Sequence, residues 1–268
     1  MIRAMYSASS GMRAHQTKMD IIGNNIANVN TTGFKATSVD FQDVYSQTSS
    51  PASPPANGRG GQNPSQIGLG VQLGNANVNF SAVTGIYTTE DPLNVAIEGN
   101  GFFTVEVAGR ELYTRNGNFY LDTDGRLVTG DGYFVLDDKQ KNITVKADIN
   151  KISKLSILKD GTVEAILSDG QTKEYGKVGI TTFINPKGLQ KEGNSCYSAT
   201  PNSGDPNIGV PGGTNGAGIL NCGALEMSNV DLSKEFSDMI LTQRGFQANA
   251  RIITVADSMI EELVNLKR

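Results

Sequence analysis

A heptad at each end of the chain constrains its fold more than anything between them. Met5, Met12, Met19 and Ile26 recur every seventh residue, and Ala8, His15, Ile22 and Val29 follow three positions later. This is the a/d spacing of a helix built to pack on other helices, and it predicts a helix over residues 2–29. Gly33, after Thr31 and Thr32, is the expected stop. At the other end Leu232, Met239, Phe246, Ile253 and Ile260 are again seven apart, with Phe236, Ala250, Leu263, Val264 and Leu266 widening the stripe. Ser228 followed by Asp231 reads as a capping box, with Glu235 and Asp238 suiting the first turns and Lys267 and Arg268 the last. A helix of about 35 residues would run roughly 50 Å, long for the inside of a compact domain.

The middle of the chain has the other periodicity. Residues 77–80, 93–97, 102–107, 143–146, 162–167 and 178–184 have strand composition. Asp124-Gly125, Asp131-Gly132, Asp160-Gly161 and Asp169-Gly170 are hairpin turn signals between them. Short strands so spaced predict antiparallel sheet or a small barrel rather than βαβ units. The expected class is therefore α+β, with long terminal helices pairing like a coiled coil around an inserted β-rich domain. The boundaries read as a discontinuous helical domain (1–32 with 227–268), an extended linker region rich in Gly, Pro and Ser (33–76), and a β-rich outer domain (77–226). Residues 49–65 and 201–221 are too poor in apolar side chains to order themselves alone.

Nothing in the sequence announces catalysis. The single histidine, His15, sits at a heptad position without a companion, where packing explains it. No G-x-S-x-G elbow occurs, and no Cys or His cluster has metal-ligand spacing. Asp122-Thr123-Asp124-Gly125 starts like a calcium loop, but Tyr133 stands where the bidentate glutamate belongs and the glycine comes too early. Gly68-Leu69-Gly70-Val71 opens like a dinucleotide fingerprint, yet the third glycine is Gly74, one residue late, with no strand-to-helix context. A carboxylate pair for glycoside hydrolysis has no locating motif. The reading is of a chain that is not an enzyme and holds neither cofactor nor metal.

Composition narrows the partners. A net charge of −4 and thinly spread Lys and Arg give no basic stripe for nucleic acid. No apolar run approaches a membrane span, and the amino terminus lacks a signal-peptide h-region, so no cleaved secretory signal is expected, and any export must use another route. Cys196 and Cys222 are too few for a disulfide framework, though one bridge between them is open. The amino-terminal helix is rich in Met, Ser, Asn and Gly, so its propensity is modest and its stability must come from burial.

The segment SSGMRAHQTKMDIIGNNIANVNTTGFK (9–35) resembles the signature of the bacterial flagellar rod and hook axial proteins. Its most specific part is residues 24–35, with Asn24, Asn25, Asn28, Thr31, Gly33 and Phe34. Residues 97–103, 113–136 and 223–268 are similar to the same family, so the resemblance covers nearly the whole chain. Within it, SNVDLSKEF (228–236) and LVNLKR (263–268) look like hook proteins of the compact Gram-positive kind. The length also suits distal rod proteins, and residues 49–71 lie where the two differ most.

The resemblance implies a subunit exported unfolded through the flagellar type III apparatus and added at the distal end of a hollow helical homopolymer. As a hook it would be a curved, flexible joint meeting the distal rod protein, a hook cap and the hook–filament junction protein. The expected assembly interface is Met5, Met12, Met19, Ile22, Ile26, Val29, Leu232, Phe236, Met239, Phe246, Ile253, Ile260 and Leu263. Methionine, unbranched and deformable, suits packing that must adapt.

Overall fold

The computed structural model describes residues 2–55, 60–80, 85–145, 152–168, 170–213 and 217–266. Lys146, Asp169, Lys267 and Arg268, named above in a strand, a turn and a helix end, lie outside them. The chain divides into two units: residues 1–27, 37–77 and 231–268 form one, residues 28–36 and 78–230 the other.

The first unit holds both long helices, α1 (Ile2–Ala27) and α2 (Leu232–Asn265). They run antiparallel, since Gly11 lies against Asn249, His15 against Gly245, and Asn25 donates to Glu235 at 3.2 Å. The cap of α2 is Asp231 itself, whose side chain accepts from the backbone N–H of Ser233 and Lys234. Ser228 instead accepts from Val230 N–H, so the capping box expected from Ser228 is not formed. The carboxylate of Asp231 reaches the orphan donors without a reciprocal partner. Similarly, α1 ends at Ala27, six residues before the glycine expected to stop it.

Of residues 33–76, expected as linker, residues 37–76 fall in this unit and contain strands. Thr37–Asp43 pairs with Val71–Val78, and Ser46–Ser50 pairs antiparallel with Ser65–Gly68. The second pair is exposed throughout. Its order comes from backbone pairing, which composition does not register.

The second unit is antiparallel β. In its main sheet Gln190–Gly193, Cys196–Ser198, Arg110–Thr114, Phe102–Val107, Phe134–Val135, Leu127–Thr129 and Phe119–Leu121 are successive neighbours. Ile180–Thr182 joins through Phe102–Val107 and carries Asn207–Gly209 on its other side. Ile152–Ile157, Thr162–Leu167 and Thr172–Lys177 make a separate three-stranded meander. The turns at Gly125, Gly132 and Gly161 fall where expected, and the fourth, at Asp169-Gly170, includes a residue outside the described ones. The one at Gly125 closes with Gly125 N–H on the Asp122 carbonyl at 2.8 Å, with a φ of 74° that favours glycine. Residues 143–145 form no strand beyond isolated bridging at Thr144. Part of the Gly- and Pro-rich stretch 201–221 is ordered by neighbours, Ile219–Cys222 pairing with Val95–Glu98.

The core of this unit is large and apolar. Val95, Phe103, Val105, Phe119, Val135, Val163, Val178 and Ile180 are completely buried. A second cluster is aromatic, with Phe80 edge-on to Phe102 (5.3 Å) and Tyr197 (5.2 Å), and Tyr113 edge-on to Phe183 (4.8 Å). Both cysteines are free, Cys196 buried and Cys222 half-buried. Burial pushes the Cys196 thiol up to about 11, far from reactive.

Candidate assembly interface

Where α1 and α2 are seen to meet, the contacts of the seam are small and polar, Gly11 against Asn249 and His15 against Gly245. The residues buried on α1 are Ala8, Gly11, Ala14, Ile22 and Asn25, and on α2 Thr242 and Ala256. A Cβ added to Gly11 would lie 2.9 Å from the Asn249 amide, and one added to Gly245 would lie 2.5 Å from the His15 ring. The helices therefore approach through glycine notches, each filled by a polar side chain from across the seam. Thr242 and Asn249 are satisfied within their own helix, Thr242 Oγ1 donating to the Asp238 carbonyl at 2.7 Å and Asn249 Nδ2 to the Gly245 carbonyl at 3.0 Å, whereas Asn25 bonds to Thr37 and Glu235. His15 is the exception, because its buried Nδ1 finds no hydrogen-bond partner among the described residues. Burial, then the Lys18 ammonium, pushes its pKa below 6.5.

A seam this small leaves the large apolar side chains of α2 outside. Leu232, Phe236, Ile240, Leu241, Ile252, Val255, Met259, Leu263, Val264 and Leu266 are exposed along its whole length. Of the residues expected at the interface, Ile22 is buried in the seam. Met5, Met12, Met19, Ile26, Met239, Phe246, Ile253 and Ile260 are half-buried, and Val29, also half-buried, lies beyond the end of α1 in the other unit. Leu232, Phe236 and Leu263 face out. The companion heptad positions Ala8 and Ile22 are buried and His15 packs on Gly245, while the larger heptad side chains are half-buried. Ile240, Leu241, Ile252, Val255 and Met259 were missed, because a strict seven-residue stripe passes beside them. An exposed apolar surface of this extent makes α2 the candidate for an interaction surface.

The segment 24–35 works in both units. In the helical unit Asn25 accepts from Thr37 N–H at 3.1 Å and donates to the Thr37 carbonyl at 2.9 Å, fixing the start of the strand that follows. In the β unit Gly33 takes φ 68° and a Cβ there would strike the Asn116 backbone at 2.7 Å, so only glycine fits. Thr31 Oγ1 donates to Asn28 Oδ1, and the Phe34 ring lies under the Lys191 ammonium. Asn24 is exposed. Lys35, which no pattern singled out, is 1 % exposed and its Nζ sits 2.7 Å from Glu226 Oε1. The other Glu226 oxygen meets Arg115 Nη1 at 3.4 Å. Burial pushes the Lys35 pKa down while Glu226 opposes it. One carboxylate thus holds two buried cations, a set whose desolvation cost is large and whose carboxylate is indispensable.

Among the described residues no group of His, Cys, Asp and Glu is placed to hold a metal ion, and no helix is long and apolar enough to cross a membrane.

Known proteins share this organisation. Residues 5–35 match the flagella basal body rod protein family, residues 96–165 the flagellar hook protein FlgE/F/G D1 domain, and residues 222–266 the flagellar basal body rod FlgEFG protein C-terminal family. The chain is 46% identical over 268 residues to the flagellar basal-body rod protein FlgG of Bacillus subtilis (strain 168), covering all of both chains. It is 39% identical to FlgG of Agrobacterium fabrum, over 96% of this chain and 97% of that one. The flagellar hook protein FlgE of Borreliella burgdorferi is 27% identical over 444 aligned positions that include the whole of both chains. These relatives are structural rod and hook proteins, and the chain belongs to their family, the FlgE/F/G flagellar axial proteins.

Proposed function

We propose that this chain is a distal rod subunit of the bacterial flagellum, polymerising with copies of itself into a hollow helical tube through its terminal helices. The observation that carries the reading is the end-to-end match, 46% identical over 268 positions, to a rod protein of this length. The hook protein match needs 444 positions and falls to 27%. The comparisons thus favour the rod over the hook that residues 228–236 and 263–268 resemble. The physical basis of association is the outer surface of the helix pair. Apolar side chains there gain roughly 25 cal/mol per Å² when a neighbour covers them. A subunit of the axis meets other members of its family above and below and reaches its place through the flagellar export apparatus. A hook cap and a hook–filament junction protein are partners of the hook reading.

The test is electron microscopy of the purified full-length protein after concentration and salting-out. Straight tubes are expected. Curved or supercoiled tubes would return the assignment to the hook, and a soluble particle that never polymerises would remove the self-assembly reading altogether.

A further inference from the structure

A cleft of about 510 Å³ opens in the helical unit, where α1, α2, the end of Thr37–Asp43 and residues 68–71 come together. That volume lies inside the roughly 300–1,000 Å³ range of small-ligand sites. Hydrogen bonds hold its walls. Val44 N–H donates to the Gly70 carbonyl at 3.0 Å, and Val71 N–H to Ser10 Oγ at 3.3 Å. Gly70, at a φ of 122°, lets the chain pass close against α1, where a Cβ would strike Ser10 Oγ.

The polar groups that line this cleft are unspent. The side chains of Ser7, Gln42 and Asp43 make no hydrogen bond among the described residues. Asn249 uses only its Nδ2, and the buried Nδ1 of His15 has no partner. Fixed acceptors, the Asp43 carboxylate and Asn249 Oδ1, therefore stand beside the Gln42 amide, which donates and accepts, and beside Ser7 and His15, which can do either. Asp43 is the only carboxylate in the lining, and the Lys18 ammonium lies 5.4 Å from the centroid of the Phe41 ring. One charge of each sign at the cleft gives no advantage to a highly charged ligand of either kind.

We propose that this cleft binds a neutral polyhydroxylated ligand, a short oligosaccharide. Each hydroxyl both donates and accepts, so a row of them uses mixed donors and acceptors side by side. An amine would leave the donors idle, and a carboxylate would meet Asp43. The Phe41 ring, 40% exposed, offers an apolar surface to the C–H side of a sugar. Such binding is independent of the rod reading and adds a second activity to it.

The test is an NMR titration of the dilute, unpolymerised full-length chain, so its outcome does not depend on tube formation. His15 is the only histidine, and its ring resonances report on the cleft without ambiguity. The probes are maltotriose and tri-N-acetylchitotriose, with spermidine as the cation and citrate as the anion. A saturable shift of the His15 resonances by a trisaccharide is expected. Binding should weaken at least tenfold in Asp43→Ala and in Gln42→Ala, which remove exposed side chains and should leave the unliganded spectrum of His15 in place. Silence towards both trisaccharides, or a response to spermidine or citrate alone, would overturn the proposal. So would a saccharide response that survives both substitutions.

Discussion

The two units solve the same problem in opposite ways. The β unit puts its largest apolar side chains inside: Phe102, Phe103, Phe119 and Tyr197 are all but inaccessible. The helical unit puts Thr242, Ala256, Gly11 and Ala14 inside its seam and leaves Leu241, Val255 and Met259 in solvent. Only the first arrangement completes a hydrophobic core within one copy. In the second the seam fixes how the helices meet, and most of the apolar area is left for a neighbour to cover. The contrast between a finished core and an unfinished one is what a subunit needs if it is to fold alone yet be stable only in company.

Truncation separates the two most sharply. Phe103→Ala removes a fully buried ring that stacks edge-on with Phe119 at 5.0 Å, and should cost about 4 kcal/mol in the unfolding of the β unit. Phe236→Ala removes a ring of equal size from the outer surface of α2, where surface substitutions change stability by less than about 0.5 kcal/mol. Denaturant titration measures both, followed by near-ultraviolet circular dichroism for the β unit and by the helical signal for α2. Comparable losses would mean that α2 is as complete in one copy as the sheet is.

The buried ion cluster sharpens the comparison inside the finished core. Glu226→Gln strands the Lys35 and Arg115 cations without a countercharge and should cost about 3 kcal/mol. Lys35→Met leaves Arg115 and Glu226 as a matched pair and should be close to neutral, or stabilising. Equal destabilisation by the two substitutions would show that the cluster is not one carboxylate shared by two cations.

How much of this was legible follows from the range of each interaction. The helices, the glycine turns and most of the strands announce themselves within a few residues, and the family segment 24–35 is contiguous. The ion cluster joins residues separated by 191 positions, and nothing local to Lys35 predicts burial. The helix contact was legible in part. The heptad includes Ala8 and Ile22, which are buried, and His15, which packs on Gly245, but nothing local to Gly11 and Gly245 announces that the two helices approach most closely there, against Asn249 and His15.

Filling a notch tests that close approach. Gly245→Val places a branched side chain where even a Cβ would lie 2.5 Å from the His15 ring, so the ring must leave or the helices must separate. Overpacking of this kind costs about 2 kcal/mol. Loss of helical signal at lower denaturant is expected, with the near-ultraviolet transition of the β unit unmoved. An unchanged helical transition would show that the seam is loose enough to accept large residues.

The smallest effect tests whether the seam tolerates charge. His15 faces the Phe41 ring at 5.1 Å, Gly245 and Asn249 from α2, Lys18 on its own helix, and Asp43 across the same cleft. Its pKa is lowered in the folded state, chiefly by burial, so the unfolded chain binds the proton first as pH falls. The contribution of His15 to stability is therefore complete above about 6.5 and is lost as pH drops from there through the lower folded-state value. Between pH 7.5 and 5.5 the helical transition of the wild-type protein should fall further than that of His15→Gln, which cannot take up the proton. Carboxylates titrating in the same range act on both proteins alike and cancel in the difference. Parallel pH profiles would mean that the ring is solvated enough to charge in place, and that the seam, polar as it is, admits water around its one histidine.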